Sequence, residues 1–231
     1  MGRGPVLGVL SGCGGAGASV FAAALALRAS EQPALATLVD CDPLGGGIDV
    51  LLGCEKTPGP RWGQLRLRGG LLDPAALLEG LPHWQGVAFL ATDTAEELDP
   101  GALSQVVDAA AEAGPVVLDL PRWPSPVRSV GLARCDHTVL VSAAEVRAAT
   151  ASVLVAAGLD PTRSCVVVRG SSRQLPAGRI ASLLGLPLAG RLPYDPASLR
   201  SAGLSNARFR AGTRRVADAV LRRGSADEVA A

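Results

Sequence analysis

Two hydrophobic periods alternate along this chain. Short runs that are apolar at nearly every position recur at Val6–Leu10, Ala36–Asp40, Gly86–Ala91, Pro115–Leu120, His137–Ser142, Cys165–Arg169 and Leu188–Leu192. Such runs predict strands buried on both faces. Between them the apolar residues space out at three and four, predicting helices over Gly17–Ala29, Pro74–Glu79, Gly101–Glu112, Pro126–Ala133, Glu145–Leu159 and Ala177–Leu184. Strand followed by helix, repeated this often, predicts an α/β fold: a mostly parallel twisted sheet of about seven strands with helices on both faces. No repeat, low-complexity stretch or long linker divides the chain. It reads as one domain over residues 1–223, with Gly53–Gly70 as its most loop-like part and 224–231 as a C-terminal tail.

Composition narrows the classes. With 231 residues, 48% of them hydrophobic, the chain can bury a large core, and a net charge of +1 makes no demand for nucleic acid or an acidic membrane as partner. Its five cysteines (Cys13, Cys41, Cys54, Cys135, Cys165) are odd in number and never spaced C-x-x-C, against a disulfide framework or a zinc site and in favour of a reducing cytoplasm. No signal-like apolar segment and no 18-residue apolar span occurs. Lys56 is the one lysine among 22 basic residues, which fits a coding bias toward G and C.

The chemistry concentrates where the first apolar run meets glycines, in Val6-Leu7-Gly8-Val9-Leu10-Ser11-Gly12-Cys13-Gly14-Gly15-Ala16-Gly17-Ala18-Ser19. Strand, tight loop and helix in that order form a phosphate cradle: glycines turn backbone N–H groups inward, and the positive end of the helix adds its partial charge. Gly12, Gly17 and Ser19 keep the P-loop register G-x-x-x-x-G-K-[ST], with Ala18 where the lysine belongs. Gly12, Gly14 and Gly17 also spell G-x-G-x-x-G, and Asp40, 23 residues past Gly17, stands at a tolerable distance for an acid that holds a ribose. An NAD(P)-binding oxidoreductase is therefore an alternative on spacing, although neither His83 nor His137 has a catalytic context. Asp40 and Asp42, leaving an apolar strand, suit hydrated magnesium or a water held beside a phosphate. Asp119, closing Val116-Val117-Leu118-Asp119, occupies the equivalent end of another strand.

Taken together these motifs resemble the deviant Walker-A branch of P-loop ATPases, the MinD and ParA superfamily. Its K-G-G-x-G-K-[ST] stands here as Cys13-Gly14-Gly15-Ala16-Gly17-Ala18-Ser19, with both lysines absent. Asp40-Cys41-Asp42-Pro43-Leu44-Gly45-Gly46-Gly47 looks like the family's switch I and Asp119-Leu120-Pro121 like its switch II, while Leu192-Pro193-Tyr194-Asp195 resembles the segment flanking the adenine. The triple glycine, Gly59-Pro60-Arg61-Trp62 and Val168-Arg169-Gly170 look like the CpaE/TadZ-type branch of actinobacteria, which includes the septum-site-determining Ssd proteins.

The resemblance implies a nucleotide site at Gly12–Ser19, Asp40, Pro193 and Asp195, magnesium at Ser19, Asp40 and Asp119, and a homodimer. It implies a scaffold that places a Tad-type pilus or secretion apparatus or the division septum, with partners from those machineries. Such a protein would be cytoplasmic, recruited to a pole or septum, and tied to the membrane through partners. The lysine vacancies imply that ATP and magnesium bind weakly or not at all and that hydrolysis is lost, leaving Asp42 and Asp119 as vestiges; a working MinD-like ATP switch is the alternative. Relatives carry a receiver-like domain ahead of the ATPase-like one, which would precede this chain's first strand. Lys56 is a candidate substitute cation from a distant loop. Cys13 fills the loop as a small residue or acts as a low-pKa thiol. The helical stretch Thr213–Arg223, with Val216 and Val220 on one face, packs on the body or lies on a membrane; its apolar face is narrow, which favours packing.

Overall fold

The computed structural model describes residues 3–31, 35–65, 72–194 and 207–226. The strands are β1 (Val6–Ser11), β2 (Ala36–Asp40), β3 (His83–Trp84), β4 (Val87–Leu90), β5 (Val116–Leu120), β6 (His137–Ala143), β7 (Ser164–Arg169) and β8 (Leu188–Leu192). They form one sheet in the order β3-β4-β2-β5-β1-β6-β7-β8. Every pairing is parallel except β3 with β4. The helices are α1 (Ala18–Ala29), α2 (Ile48–Leu52), α3 (Pro74–Gly80), α4 (Pro100–Ala113), α5 (Pro126–Arg134), α6 (Val146–Ala156), α7 (Ala177–Leu184) and α8 (Ala207–Ala226).

Each central strand is buried almost throughout because it feeds two cores. Val6 and Leu10 of β1 join a cluster with Leu103, Val106 and Ile180 on the side of α3 to α7. Leu7 and Val9 point the other way, to Phe21, Leu25, Val216 and Val220 of α1 and α8. Three helices begin at a cap followed by proline. The side chains of Asp73, Asp99 and Ser125 accept from the N–H groups of Ala76, Gly101 and Arg128, and Pro74, Pro100 and Pro126 occupy the first helical position, where no N–H is needed.

The sheet has eight strands where about seven were expected. The additional one, β3, is two residues long and antiparallel to β4 across a turn in which Gln85 has φ 49° and Gly86 φ 85°. Two residues are too few to show an alternation, so only the Gln-Gly pair could have marked it. The final helix also runs past the expected tail boundary, to Ala226, and a Cβ on Gly224 would stand 2.7 Å from Leu7 Cδ2. Its apolar face packs on the body as expected: Val216, Ala217 and Val220 are buried, Arg28 of α1 meets Asp218 at 2.7 Å, and Arg214 meets Glu31 at 2.9 Å. Among the described residues no helix is long and apolar enough to cross a membrane.

Candidate phosphate-binding site

The carboxyl ends of β1, β2 and β5 open onto a cavity of about 430 Å³. Its lining joins the glycine loop (Gly14, Gly15, Gly17, Ala18, Ser19) to Asp40, Asp42 and Asp119. Residues separated by a hundred positions thus converge because β5 lies between β1 and β2.

The loop is a built backbone frame. Gly15 and Gly17 have φ of 70° and 92°, values that side chains disfavour, and Gly17 caps α1 with no side-chain acceptor. The first N–H groups of α1 are thereby left facing the cavity, a ready site for an oxyanion. Gly12 holds the foot: its N–H donates to Val141 O at 2.8 Å, and a Cβ there would lie 2.1 Å from Ser152 Oγ. Cys13 and Ala16 support the loop from outside the cavity lining. Cys13 packs half-buried at the edge of the α1-side core, its carbonyl accepting from the Ser11 hydroxyl, while Ala16 is fully buried.

Asp40 serves chiefly as an organiser. Its Oδ1 accepts from Asp42 N at 3.1 Å, and its Oδ2 from Ile48 N at 2.9 Å, Thr92 N at 3.3 Å and Thr92 Oγ1 at 2.8 Å. These bonds close the 40–48 loop and tie it to the end of β4. The Asp40 carbonyl accepts from Trp62 Nε1 at 2.7 Å, and the adjoining Arg61 is spent on Asp49 at 2.8 Å and on the carbonyls of Gly59, Cys54 and Thr57. Magnesium at Asp40 would therefore have to compete with four N–H and O–H donors. Ser19 and Asp119 fit such an ion better, being hydrogen-bonded to one another and otherwise open to the cavity. Among the described residues no group of three or more His, Cys, Asp or Glu is arranged to hold a metal.

Burial pushes Asp119 up to about 8; the charges of Asp40 and Asp42 act in the same direction and the Ser19 hydroxyl opposes them. Burial also raises Asp40 and Asp42, against the Leu44 N–H and the charge of Arg122 at Asp42. Among the described residues, three acids thus share the cavity with one basic lining residue, Arg122.

Pro193 lies in a neighbouring cavity of about 810 Å³, with Glu145, Arg169, Gly170 and Tyr194. Arg169 stands between the two cavities, its Cδ 3.6 Å from where a Gly17 Cβ would be. Asp195 lies outside the described residues. Lys56 is exposed and does not line the phosphate cavity, so it does not replace the missing lysine. Sequence reasoning passed over Thr92 and Arg122, and it read Trp123 as a core-edge residue where the structure leaves it 40% exposed on the cavity wall. The signal for Arg122 was its place directly after the Asp119-Leu120-Pro121 turn.

The dinucleotide alternative fails on topology. That fold pairs its first strand with its second, placing the ribose acid beside the glycine turn. Here β1 pairs with β5 and β6, and Asp40 is the register partner of Asp119 instead.

No protein-family model matches the chain. It is 40% identical over 198 residues to uncharacterized proteins of two strains of Mycobacterium tuberculosis, covering 84% of this chain and 55% of those proteins. The chain thus spans about half the length of the curated relatives it matches. Among solved structures, a ParA family ATPase from Chlorobium tepidum superposes with a TM-score of 0.79 at 20% identity, over 95% of this chain and 98% of that one. The cell division ATPase MinD of Pyrococcus furiosus gives 0.72 at 16%, over 95% and 99%. The septum site-determining MinD of Pyrococcus horikoshii, complexed with Mg-ADP, gives 0.68 at 16%, over 98% and 97%. These likenesses establish the fold: the chain has the P-loop architecture of the ParA and MinD ATPases.

Proposed function

We propose that this chain is an ATPase-like spatial regulator whose hydrolytic machinery has become a scaffold. It homodimerises in the cytoplasm and recruits partners so that a Tad-type pilus or secretion apparatus, or the division septum, is placed correctly at a pole or septum. No nucleic acid is required, and any membrane contact runs through those partners. The solved proteins of the same fold, two of them named for cell division and septum-site determination, support a positioning role.

One observation carries the loss of turnover. The phosphate loop keeps its glycine conformations, Ser19 and Asp119, yet Ala18 and Cys13 stand where the resemblance places lysines. A charge-assisted hydrogen bond contributes roughly 1.5–3 kcal/mol, so each loss lowers affinity about ten- to a hundred-fold and weak binding survives. A cation at the transition state is worth on the order of a thousand-fold or more in rate, so turnover suffers further. With nucleotide bound, Ser19 and Asp119 would hold its magnesium and the 14–19 backbone its phosphates; magnesium would supply charge neutralisation there.

The test is steady-state ATP turnover beside an Asp42→Ala/Asp119→Ala variant. Equal, background rates are expected. A wild-type rate well above the variant's would make the chain an ATP-driven switch.

A further inference from the structure

Two arginines flank the glycine loop with their side-chain donors unspent. Arg122, just after β5, lines the phosphate cavity, and its Nη1 is 4.0 Å from where a Gly14 Cβ would stand. Arg169, the last residue of β7, lays its Cδ 3.6 Å from the equivalent position on Gly17. Both are half-buried, and among the described residues neither side chain makes a hydrogen bond or a close ion pair, although the charge of Arg122 is felt by Asp42 across the cavity. The Nε of Arg169 is buried with no hydrogen-bond partner among the described residues. By contrast Arg28, Arg61 and Arg128 are spent on carboxylates or carbonyls.

Each of the two is held by an aromatic face. The Arg122 guanidinium lies 5.5 Å from the Trp123 ring centroid and that of Arg169 lies 5.2 Å from Tyr194. A cation–π contact of this kind consumes no oxygen acceptor, so the guanidinium N–H donors remain available to an oxyanion. Trp123 and Tyr194 are themselves 40% and 62% exposed. They are poorly placed as core and well placed as platforms.

We infer that Arg122 and Arg169 are the phosphate-binding cations of this chain, taking over from opposite ends of the loop the charge that Cys13 and Ala18 lack. The ligand is a polyphosphate, free or carried by a nucleoside, that lies along Gly14–Gly17 between the two cavities. This deepens the reading above and rests on its assignment of the loop to phosphate. Charge delivered from the loop's flanks binds phosphate without restoring the lysine at the loop itself, so binding and background turnover go together.

Isothermal titration of the wild-type chain with magnesium and ATP, tripolyphosphate or adenosine tests it, beside Arg122→Gln, Arg169→Gln and, as a control on the exposed face of α7, Arg179→Gln. Thermal melts confirm that each variant is folded, which the unbonded state of both side chains favours. ATP affinity is expected to fall at least about ten-fold in each of the first two variants and to hold in the third. Binding of ATP alone names a nucleotide as the source of the phosphates, and binding of tripolyphosphate as well names the phosphate chain; either supports the assignment when the arginine dependence holds. Unchanged affinity in both variants, equal loss in Arg179→Gln, or adenosine binding as tightly as ATP overturns it. So does a wild-type chain that binds neither phosphate compound, an outcome under which the scaffold reading still stands. That reading falls separately, on turnover above background.

Discussion

Asp40 and Asp119 are register partners at the carboxyl ends of adjacent parallel strands, two buried acids facing one cavity. Asp40 is surrounded by four donors, whereas Asp119 has the Ser19 hydroxyl and feels the charge of Asp40. The first is stabilised as an anion by its partners, and the second is the better place for a proton.

That proton has a thermodynamic signature. Asp119 rises from 3.8 to about 8 on folding, so between those values the folded state binds more protons than the unfolded one. Stability then falls as pH rises through that window. In chelator, without magnesium, the melting temperature should decline from pH 5 to pH 8.5, and Asp119→Asn should flatten the decline. Parallel profiles would remove Asp119 as the source.

Gly12→Ala is expected to destabilise by about 1–3 kcal/mol, since its Cβ would meet Ser152 Oγ at 2.1 Å and Ser152 Cβ at 2.7 Å. Adding Ser152→Gly removes both atoms and should recover part of the loss despite a helical glycine costing about 1 kcal/mol. Urea denaturation of the single and double variants measures the coupling. Strict additivity would show that the loop shifts away from α6.

Arg61→Ala should cost roughly 3–5 kcal/mol, because it strands Asp49 in a buried pair and removes the donors to three loop carbonyls. Arg61→Met, which preserves volume, should strand the same carboxylate while sparing contact with Phe89. Replacing Asp49 by Asn as well should return part of the stability by thermal melt. A surface-like loss below about 0.5 kcal/mol would contradict the buried pairing.

Ala18→Lys is expected to raise ATP affinity about ten-fold or more, since the loop backbone and Ser19 remain in register and Ala18 lines the cavity. Calorimetry reads it directly. Flat affinity in a folded variant would mean that the loop's shape, and not its charge alone, has departed from the P-loop.

The homodimer is expected to form with little dependence on magnesium-ATP. In the resemblance the link between nucleotide and assembly is a lysine at position 13 that reaches the partner's nucleotide, and the Cys13 thiol has neither the charge nor the reach to replace it. Sedimentation at several concentrations, with and without magnesium-ATP, decides it. Dimerisation only with nucleotide would show that phosphate is sensed across the interface; a monomer throughout would leave a one-chain adaptor.

The central parallel strands were legible because burial on both faces writes itself as a nearly unbroken apolar run, as in β2, whose predicted and observed bounds coincide. Strand β8 was found at its predicted bounds too, but as a half-buried edge strand with Arg191 exposed. The loop was legible because glycine is required where φ is positive. What stayed hidden depends on distance in the chain. Thr92 lies 52 residues from the Asp40 it bonds. Arg122 is one arginine among many until β5 is placed beside β1. The five-residue α2 follows Gly47 with no side-chain cap, so nothing local announced it.

The glycine loop encodes its shape and its charge in different residues. Curvature belongs to Gly15 and Gly17 and close packing to Gly12, whereas charge depends on the side chains set around that backbone. Backbone shape and cavity charge are therefore open to separate substitution, the first at the glycines and the second at Ala18 or Arg122.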